Sequence, residues 1–436
     1  MNEWRRTNAP IASSRTDDIW FTDPQRGWAV NSNGHVLHTT DGGQAWRRQL
    51  SARGQAYLRC VAFATESRGW VGVLEDPARR LFETEDGGAT WSVVTSVAAL
   101  REAPPAICGL SVVDERVVYG SGTNEPSLPT GVIKTVDGGR TWTAQSMDAH
   151  ATLLVDVLFP DADHGWVVGG KAPPDVARPK RRDVTPVVLF TEDGGASWRN
   201  LVEGLDLPKG EWGWKLHFVD EQVGYVSLEN FSAGAVLKTT DGGMTWERRA
   251  ITDPQGNANV EGVGFADRDL GWVGGWGTAD FSGGFTSETR DGGRTWVDAN
   301  HVGKFLNRFR FFREPELVGY ASGDTVYKYS EAAVPTEREA GPRLLAAEAA
   351  VAPEEPLRTS FPVRIPLAPP AGARSVRVDV WDRFGRHVAT PLDEPEGAAA
   401  VAEATWEGEE ADGPGYYIFR VSIDDDDESG TLLVEP

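Results

Sequence analysis

The octapeptide Thr39-Thr40-Asp41-Gly42-Gly43-Gln44-Ala45-Trp46 decides how this chain reads, because it returns five more times. The copies run from Thr84 to Trp91 (TEDGGATW), Thr135 to Trp142 (TVDGGRTW), Thr191 to Trp198 (TEDGGASW), Thr239 to Trp246 (TTDGGMTW) and Thr289 to Trp296 (TRDGGRTW). Their aspartates, Asp41, Asp86, Asp137, Asp193, Asp241 and Asp291, are 45, 51, 56, 48 and 50 residues apart. A recurrence of that length, with one supersecondary unit per period, marks a propeller or another repeat array. Asp-Gly-Gly makes a tight hairpin turn: the glycines accept positive φ and the carboxylate accepts turn N–H groups. The Trp that follows opens the outgoing strand and gives it a large apolar anchor.

A second signal precedes each turn. Gly27-Trp28, Gly69-Trp70, Gly165-Trp166, Gly224-Tyr225 and Gly271-Trp272 sit among β-branched residues, and Val118-Tyr119 stands in the third period. Seven residues before each aromatic lies Phe21, Phe63, Val112, Phe159, Phe218 or Phe265. Each period thus reads as four short antiparallel strands, one propeller blade. A seventh unit, with Phe309, Phe311, Gly319-Tyr320 and Val326-Tyr327-Lys328-Tyr329, supplies three strands, and Glu331-Ala332-Ala333 replaces its turn. Trp4-Arg5-Arg6 resembles Trp46-Arg47-Arg48, so residues 3–7 are expected to pair with 325–329 and close the ring, leaving no open edge. The expected fold is all-β: a seven-bladed β-propeller over 1–333, closed by the N-terminal strand, an Ala/Glu/Pro-rich linker over 334–356, and a small β-sandwich over 357–436.

A net charge of −22 argues against affinity for nucleic acid or anionic membranes. No apolar run approaches the ~20 residues of a membrane span. Met1-Asn2-Glu3-Trp4-Arg5-Arg6 lacks the apolar core of a signal peptide, so the protein is either cytoplasmic or has lost a signal. Two cysteines, Cys60 and Cys108, make no disulfide framework. The sequence shows no metal-binding cluster, phosphate loop or Ser/His/Asp signature, and no cofactor is expected.

The six turns match the Asp-box, or BNR, repeat found in sialidases, xyloglucanase-type hydrolases and sortilin-type receptors. With Gly-Trp ahead of Thr-x-Asp-Gly-Gly-x-Thr-Trp in one propeller, residues 1–330 resemble the photosystem II stability/assembly factor family. That resemblance implies a non-catalytic propeller that binds another protein, in an extracytoplasmic setting. The tail, with Val378-Asp379-Val380-Trp381-Asp382, Trp406-Glu407-Gly408 and Gly415-Tyr416-Tyr417, resembles the Ig-like C-terminal domains of flagellar hook-capping proteins and type IX secretion substrates. It departs from their sorting pattern at Leu432-Leu433-Val434-Glu435-Pro436, which lacks a basic finish.

In Asp-box propellers the box lies opposite the ligand face, so the resemblance makes the six aspartates structural. Aligned on their aromatics, the innermost strands place Asp18, Cys60, Asp156, Lys215 and Arg308 at one level of a central channel, with Asp17, Arg59, Glu261 and Asn307 one residue earlier. The longest loop at that end, from Lys171 to Pro186, gathers Arg178, Lys180, Arg181 and Arg182 in an acidic chain. Forked guanidinium donors suit carboxylates, so these residues, with Arg59, Lys215, Arg308, Trp212 and Trp276, are the expected partner surface for an acidic protein segment. A monomer is expected. The alternative is a glycoside hydrolase or a lectin-type carbohydrate binder at the same face, with Asp18, Asp156 and Glu261 as the carboxylates. The sialidase motif Arg364-Ile365-Pro366 follows the propeller instead of preceding its first box, and there is one propeller where xyloglucanases use two.

Overall fold

The computed structural model describes the chain except residues 1, 13, 53–56, 75, 256, 278–282, 332–356, 368, 370–371, 383–386, 396–400, 409–414, 425 and 435–436. The expected linker, 334–356, therefore lies outside the described residues, as do residues 383–386 of a turn that the sequence predicts over 382–386. The chain divides into two compact units. One comprises Trp4–Ile11 and Arg15–Tyr329, and the second takes in the C-terminal region from Ser330.

The first unit is almost all β. Six antiparallel four-stranded sheets follow one another along the chain. Sheet 1 is Thr16–Phe21, Gly27–Asn31, His35–Thr39 and Arg47–Ser51. Sheet 2 is Leu58–Phe63, Gly69–Val73, Leu81–Thr84 and Ser92–Val93, and sheet 3 is Gly109–Val112, Val118–Gly122, Gly131–Thr135 and Thr143–Ser146. Sheet 4 is Leu153–Leu158, Gly165–Lys171, Thr185–Thr191 and Arg199–Asn200. Sheet 5 is Glu211–Phe218, Gly224–Asn230, Ala235–Thr239 and Glu247–Ala250, and sheet 6 is Ala258–Phe265, Gly271–Gly277, Thr286–Thr289 and Val297–Asp298. A seventh sheet takes Arg308–Phe312, Val318–Ser322 and Val326–Glu331 from late in the chain and Asn2–Arg6 from its beginning. Thr7 extends that junction by donating its N–H to the Val326 carbonyl at 2.9 Å.

The Phe…Gly-aromatic signal has a steric cause. Phe21 lies directly across from Gly27, Phe63 from Gly69, Phe218 from Gly224, Phe265 from Gly271 and Phe311 from Gly319. A Cβ at Gly27 would stand 2.3 Å from the Phe21 ring, so glycine is what lets that ring lie over the neighbouring strand. The seated ring then stacks on the aromatic of the preceding sheet. Centroids are 3.7 Å apart for Phe63 on Trp28, 3.5 Å for Phe159 on Tyr119, 3.8 Å for Phe265 on Tyr225 and 3.7 Å for Phe21 on Tyr320. The last of these joins sheet 7 to sheet 1. Sheet 3 has Val112 in place of Phe, and its cross-strand partner is Val118 rather than glycine.

The polar tip of each stacked aromatic reaches the Asp-box of the next sheet. Trp28 Nε1 donates to the Gly87 carbonyl at 3.2 Å, Tyr119 Oη to Gly194 at 3.3 Å, Trp166 Nε1 to Gly243 at 3.3 Å, Tyr225 Oη to Gly292 at 3.0 Å and Tyr320 Oη to Gly42 at 3.2 Å. Where the aromatic is Tyr, a lysine joins it: Lys134, Lys238 and Lys328 donate to the same three carbonyls. Each turn is itself braced from within. In the fifth, the Thr239 hydroxyl donates to Asp241 Oδ1 at 2.8 Å and accepts the Gly243 N–H at 2.9 Å, while Asp241 accepts from the Thr245 N–H and hydroxyl. Gly242 and Gly243 take φ of +72° and +83°, the region that L side chains avoid.

In the C-terminal unit a five-stranded sheet is ordered Leu357–Thr359, Asp426–Val434, Gly415–Ile423, Val376–Asp382 and His387–Glu394, beside a pair formed by Val363–Pro366 and Glu403–Trp406. Val363, Ile365, Val376, Val378, Val380, Trp406, Tyr417 and Leu432 share one buried cluster.

Trp4 is 7% exposed and packs against Trp272, Phe309, Phe311 and Tyr329, with centroids 5.2–6.2 Å away. Trp4→Ala is therefore expected to cost roughly 3–5 kcal/mol in urea unfolding. A loss below ~1 kcal/mol would mean that the N-terminal strand contributes little to sheet 7. In the fifth Asp-box, Thr239→Val is expected to cost about 1–3 kcal/mol by leaving turn groups unsatisfied. An unchanged unfolding midpoint would show that the bracing is dispensable.

Candidate functional site

The first strands of five sheets share an irregularity. Their register against the second strand slips between Thr16 and Asp18, Leu58 and Cys60, Leu154 and Asp156, Gly213 and Leu216, and Val260 and Gly262. A β-bulge adds a residue to one strand and re-aims its side chains. Perfect alternation would send Asp17 and Asp18 to opposite faces. With the bulges in place, both enter one buried network.

Three guanidinium groups hold that network together. Arg308 donates through Nε to Asp18 Oδ1 at 2.9 Å, and as a fork to both oxygens of Asp156 at 2.9 and 2.7 Å. Arg59 donates to Asp17 Oδ1 at 2.6 Å, and Arg15 reaches the same oxygen at 3.0 Å while pairing with Glu261. Asp18 and Asp156 also accept backbone N–H groups, from Ile19 and Leu216. Trp276 Nε1 donates to Glu261 at 3.0 Å. Trp214 Nε1 donates to Asn307 Oδ1 at 2.8 Å, and Asn307 Nδ2 donates to the Asp17 carbonyl at 2.5 Å. Arg59 lies over the Trp214 ring at 4.6 Å and Arg15 over the Trp276 ring at 5.0 Å. The Asp17, Asp18, Asn307 and Arg308 contacts bring sheet 7 against sheet 1.

Burial alone would raise the Asp156 carboxyl. The attraction of Arg308 and Lys215 and the hydrogen bonds from Arg308 and Leu216 overcome it and hold the group below its ordinary range. Lys215 is pulled down to about 8, first by burial and then by Arg308. Burial lowers Arg310 to about 10, helped by Arg308, and it pushes both the Cys60 and Cys108 thiols up.

The sequence places Arg59, Lys215, Arg308, Trp212 and Trp276 at an open channel mouth, whereas the structure buries all five. Arg59 and Lys215 fall within the bulges of their strands, and the Trp214 ring covers Arg59. Of the three candidate carboxylates, Asp18 and Asp156 share Arg308, while Glu261 is engaged separately by Arg15 and Trp276. The basic loop is divided. Arg178, Lys180 and Arg182 are exposed. Arg181 is buried, donating to the Asn124 carbonyl at 2.5 Å and pairing with Glu125 at 3.4 Å, so it pins the loop to sheet 3. This loop enters the Thr185–Thr191 strand and the Asp-box leaves it, so the two lie at opposite ends of sheet 4. Arg15 carries no repeat signal, because it precedes its strand. Among the described residues no group of three or more His, Cys, Asp or Glu could hold a metal ion, and no helix is long and apolar enough to cross a membrane.

Removing Arg308 would leave Asp18 and Asp156 without their cation. Arg308→Met is expected to cost roughly 3–5 kcal/mol. Because the folded Asp156 is depressed, its contribution is present above the unfolded carboxyl value of about 3.9 and is lost as pH falls through the folded value. The variant should therefore lose part of the acid dependence of wild-type stability. Parallel curves for the two proteins between pH 2 and 6 would show that Arg308 does not set it.

Residues 1–153 match the family model described as photosynthesis system II assembly factor YCF48. The photosystem II assembly protein Ycf48 of Synechococcus sp. (strain JA-3-3Ab) is 27% identical over 301 residues, 62% of this chain and 85% of that protein. The photosystem II assembly lipoprotein Ycf48 of Synechococcus sp. (strain CC9902) is 30% identical over 134 residues, 30% of this chain and 37% of that protein. In that second case the chain spans little more than a third of its relative. Three solved structures share the fold. YCF48 from Cyanidioschyzon merolae has a TM-score of 0.55 at 19% identity, over 75% of this chain and 98% of that one. A YCF48 bound to D1 peptide has 0.53 at 17% identity, over 76% and 97%. The WD40 propeller of Doa1 has 0.51 at 11% identity, over 76% and 98%. The strand-rich N-terminal three quarters of the chain thus have a β-propeller fold similar to that of the Ycf48 photosystem II assembly factors.

Proposed function

We propose that this chain is a non-catalytic binding module that recognises an acidic segment of another protein. Residues 1–333 form seven blades closed by the N-terminal strand, and 357–436 form an Ig-like sandwich. The partner docks at the end of the ring opposite the Asp-boxes. One observation carries this reading: the arginines of the central network are committed to its buried carboxylates, while Arg178, Lys180 and Arg182 are exposed on a chain of net charge −22. Arg181 holds the loop in place, and its neighbours meet the partner. The relatives support the reading, since one solved YCF48 is bound to a D1 peptide. The relative described as a lipoprotein supports an extracytoplasmic setting.

A hydrolase is the weaker reading. Its acid must be a carboxyl that stays protonated near neutral pH. Asp156 is displaced the other way, and Asp18 shares its arginine. The six Asp-box aspartates serve the turns. Asp137 and Asp193, for example, are drawn down to about 2, first by the Thr141 and Ser197 hydroxyls.

A peptide array graded in net charge tests the proposal. Wild type should capture Asp- and Glu-rich peptides, with association slowing as salt rises. Changing Arg178, Lys180 and Arg182 together to Glu should abolish that selection while leaving the melting temperature within a few degrees. Equal capture by both proteins at low salt would contradict it. Glycan binding that survives the triple change would favour the carbohydrate alternative.

A further inference from the structure

Five of the six Asp-box turns are closed by a hydroxyl from the residue before the Trp, which donates to the second oxygen of the aspartate. Thr90 bonds Asp86, Thr141 Asp137, Ser197 Asp193 and Thr245 Asp241 at 2.6 Å, and Thr295 bonds Asp291 at 2.7 Å. The first box departs from this, because Ala45 stands where the others carry Thr or Ser. Asp41 Oδ1 keeps its bonds from the Thr39 hydroxyl and the Ala45 N–H, both at 2.9 Å. Its Oδ2 has no hydrogen-bond donor among the described residues.

Asp41 and Ala45 both line a cleft of about 710 Å³ at the Asp-box end, between sheets 1 and 2. That volume lies within the roughly 300–1,000 Å³ of small-molecule sites. Much of the charge in the cleft is already engaged. Arg26 pairs with Glu66, and both oxygens of Asp86 accept bonds from Thr84 and Thr90. Arg47 is exposed and has no ion-pair partner among the described residues. Trp46 is half-buried, with its Nε1 committed to the Thr7 hydroxyl at 3.2 Å.

The lining decides the class of ligand. Three carboxylates, Asp41, Glu66 and Asp86, stand against the guanidiniums of Arg26 and Arg47, which disfavours an anion. Burial, and then the charges of Arg26 and Arg47, hold His38 below its ordinary value, and a ligand cation would meet the same two charges. What remains is a carboxylate oxygen that accepts, a guanidinium that donates, and an indole ring. A hydroxyl both donates and accepts, so a neutral polyol meets the first two. The C–H face of a sugar suits the third.

We propose that this cleft is a saccharide site, in which a neutral sugar unit donates one hydroxyl to Asp41 Oδ2, replacing the Thr or Ser hydroxyl of the other boxes, and accepts from Arg47. The site is independent of the Arg178–Arg182 loop, which lies at the end of sheet 4 away from its Asp-box.

A free sugar and a unit within a glycan chain present the same hydroxyls, so the test carries both. Saturation-transfer NMR of the full chain would be run with cellobiose, maltose, lactose and mannobiose, and with soluble β-glucan and mannan. At least one should bind saturably, and whether it is a disaccharide or a polymer identifies the source. Ala45→Thr restores the hydroxyl of the other five boxes, so it should fold and weaken that binding roughly tenfold or more. Arg47→Gln should weaken it too, whereas changing Arg178, Lys180 and Arg182 to Glu should not. Should Ala45→Thr fail to fold, Arg47→Gln, on an exposed side chain, decides in the same way. Binding that these two variants leave unchanged would overturn the proposal and assign the carbohydrate to the opposite end. Absence of binding by every member of the panel would also overturn it.

Discussion

A Phe ring lying where a glycine leaves room is the contact on which the rest of this structure depends. The absent Cβ at Gly27, Gly69, Gly165, Gly224 and Gly271 lets the cross-strand ring lie flat, and in that position it meets the aromatic of the preceding sheet. Stacking fixes that aromatic, and its N–H or hydroxyl then reaches a carbonyl in the next Asp-box. One steric vacancy thus sets the packing between sheets, and the turn supplies a rigid acceptor for it. The choice of Lys beside Tyr follows from the same geometry. A Tyr hydroxyl leaves the glycine carbonyl room for a second donor, and Lys134, Lys238 and Lys328 take it. Trp272 shows the reverse case. Sheet 7 has no box to receive it, and its Nε1 turns to Glu288 within its own sheet.

The buried charge network shows a different economy. Carboxylates and guanidiniums there bond to each other and to backbone N–H groups, an arrangement that contributes little net stability yet is expensive to break. Its value lies in definition. Arg308 connects strands more than a hundred residues apart, from sheets 1, 4 and 7, and so fixes their relative position. Under the proposed function, recognition falls to the exposed loops, where length and charge vary without disturbing the ladders.

The repeats were plain in the sequence because turn chemistry and the Phe-to-Gly spacing are local. The strand at Asn2–Arg6 was legible too, through Trp4 and its likeness to Trp46. The bulges were not. Alternation predicts that neighbouring residues face opposite ways, and one inserted residue per strand reverses that for Asp17, Arg59 and Glu261. For the same reason the sequence placed Arg59 and Lys215 at an open mouth. The split in the basic loop was equally hidden, since Arg181 differs from Arg178 and Arg182 only in meeting the carbonyl of Asn124, some sixty residues away.

Everything described for the first unit requires that its last sheet be completed by its first strand. The most direct measurement is native-state hydrogen exchange at the Thr7 amide, which donates to Val326. If the N-terminal strand locks the seventh sheet, that amide should exchange with a protection free energy matching that of core amides such as Val61 and Val71, through the same global opening. Exchange of Thr7 at the rate of an unprotected terminus, while the core stays protected, would contradict the account.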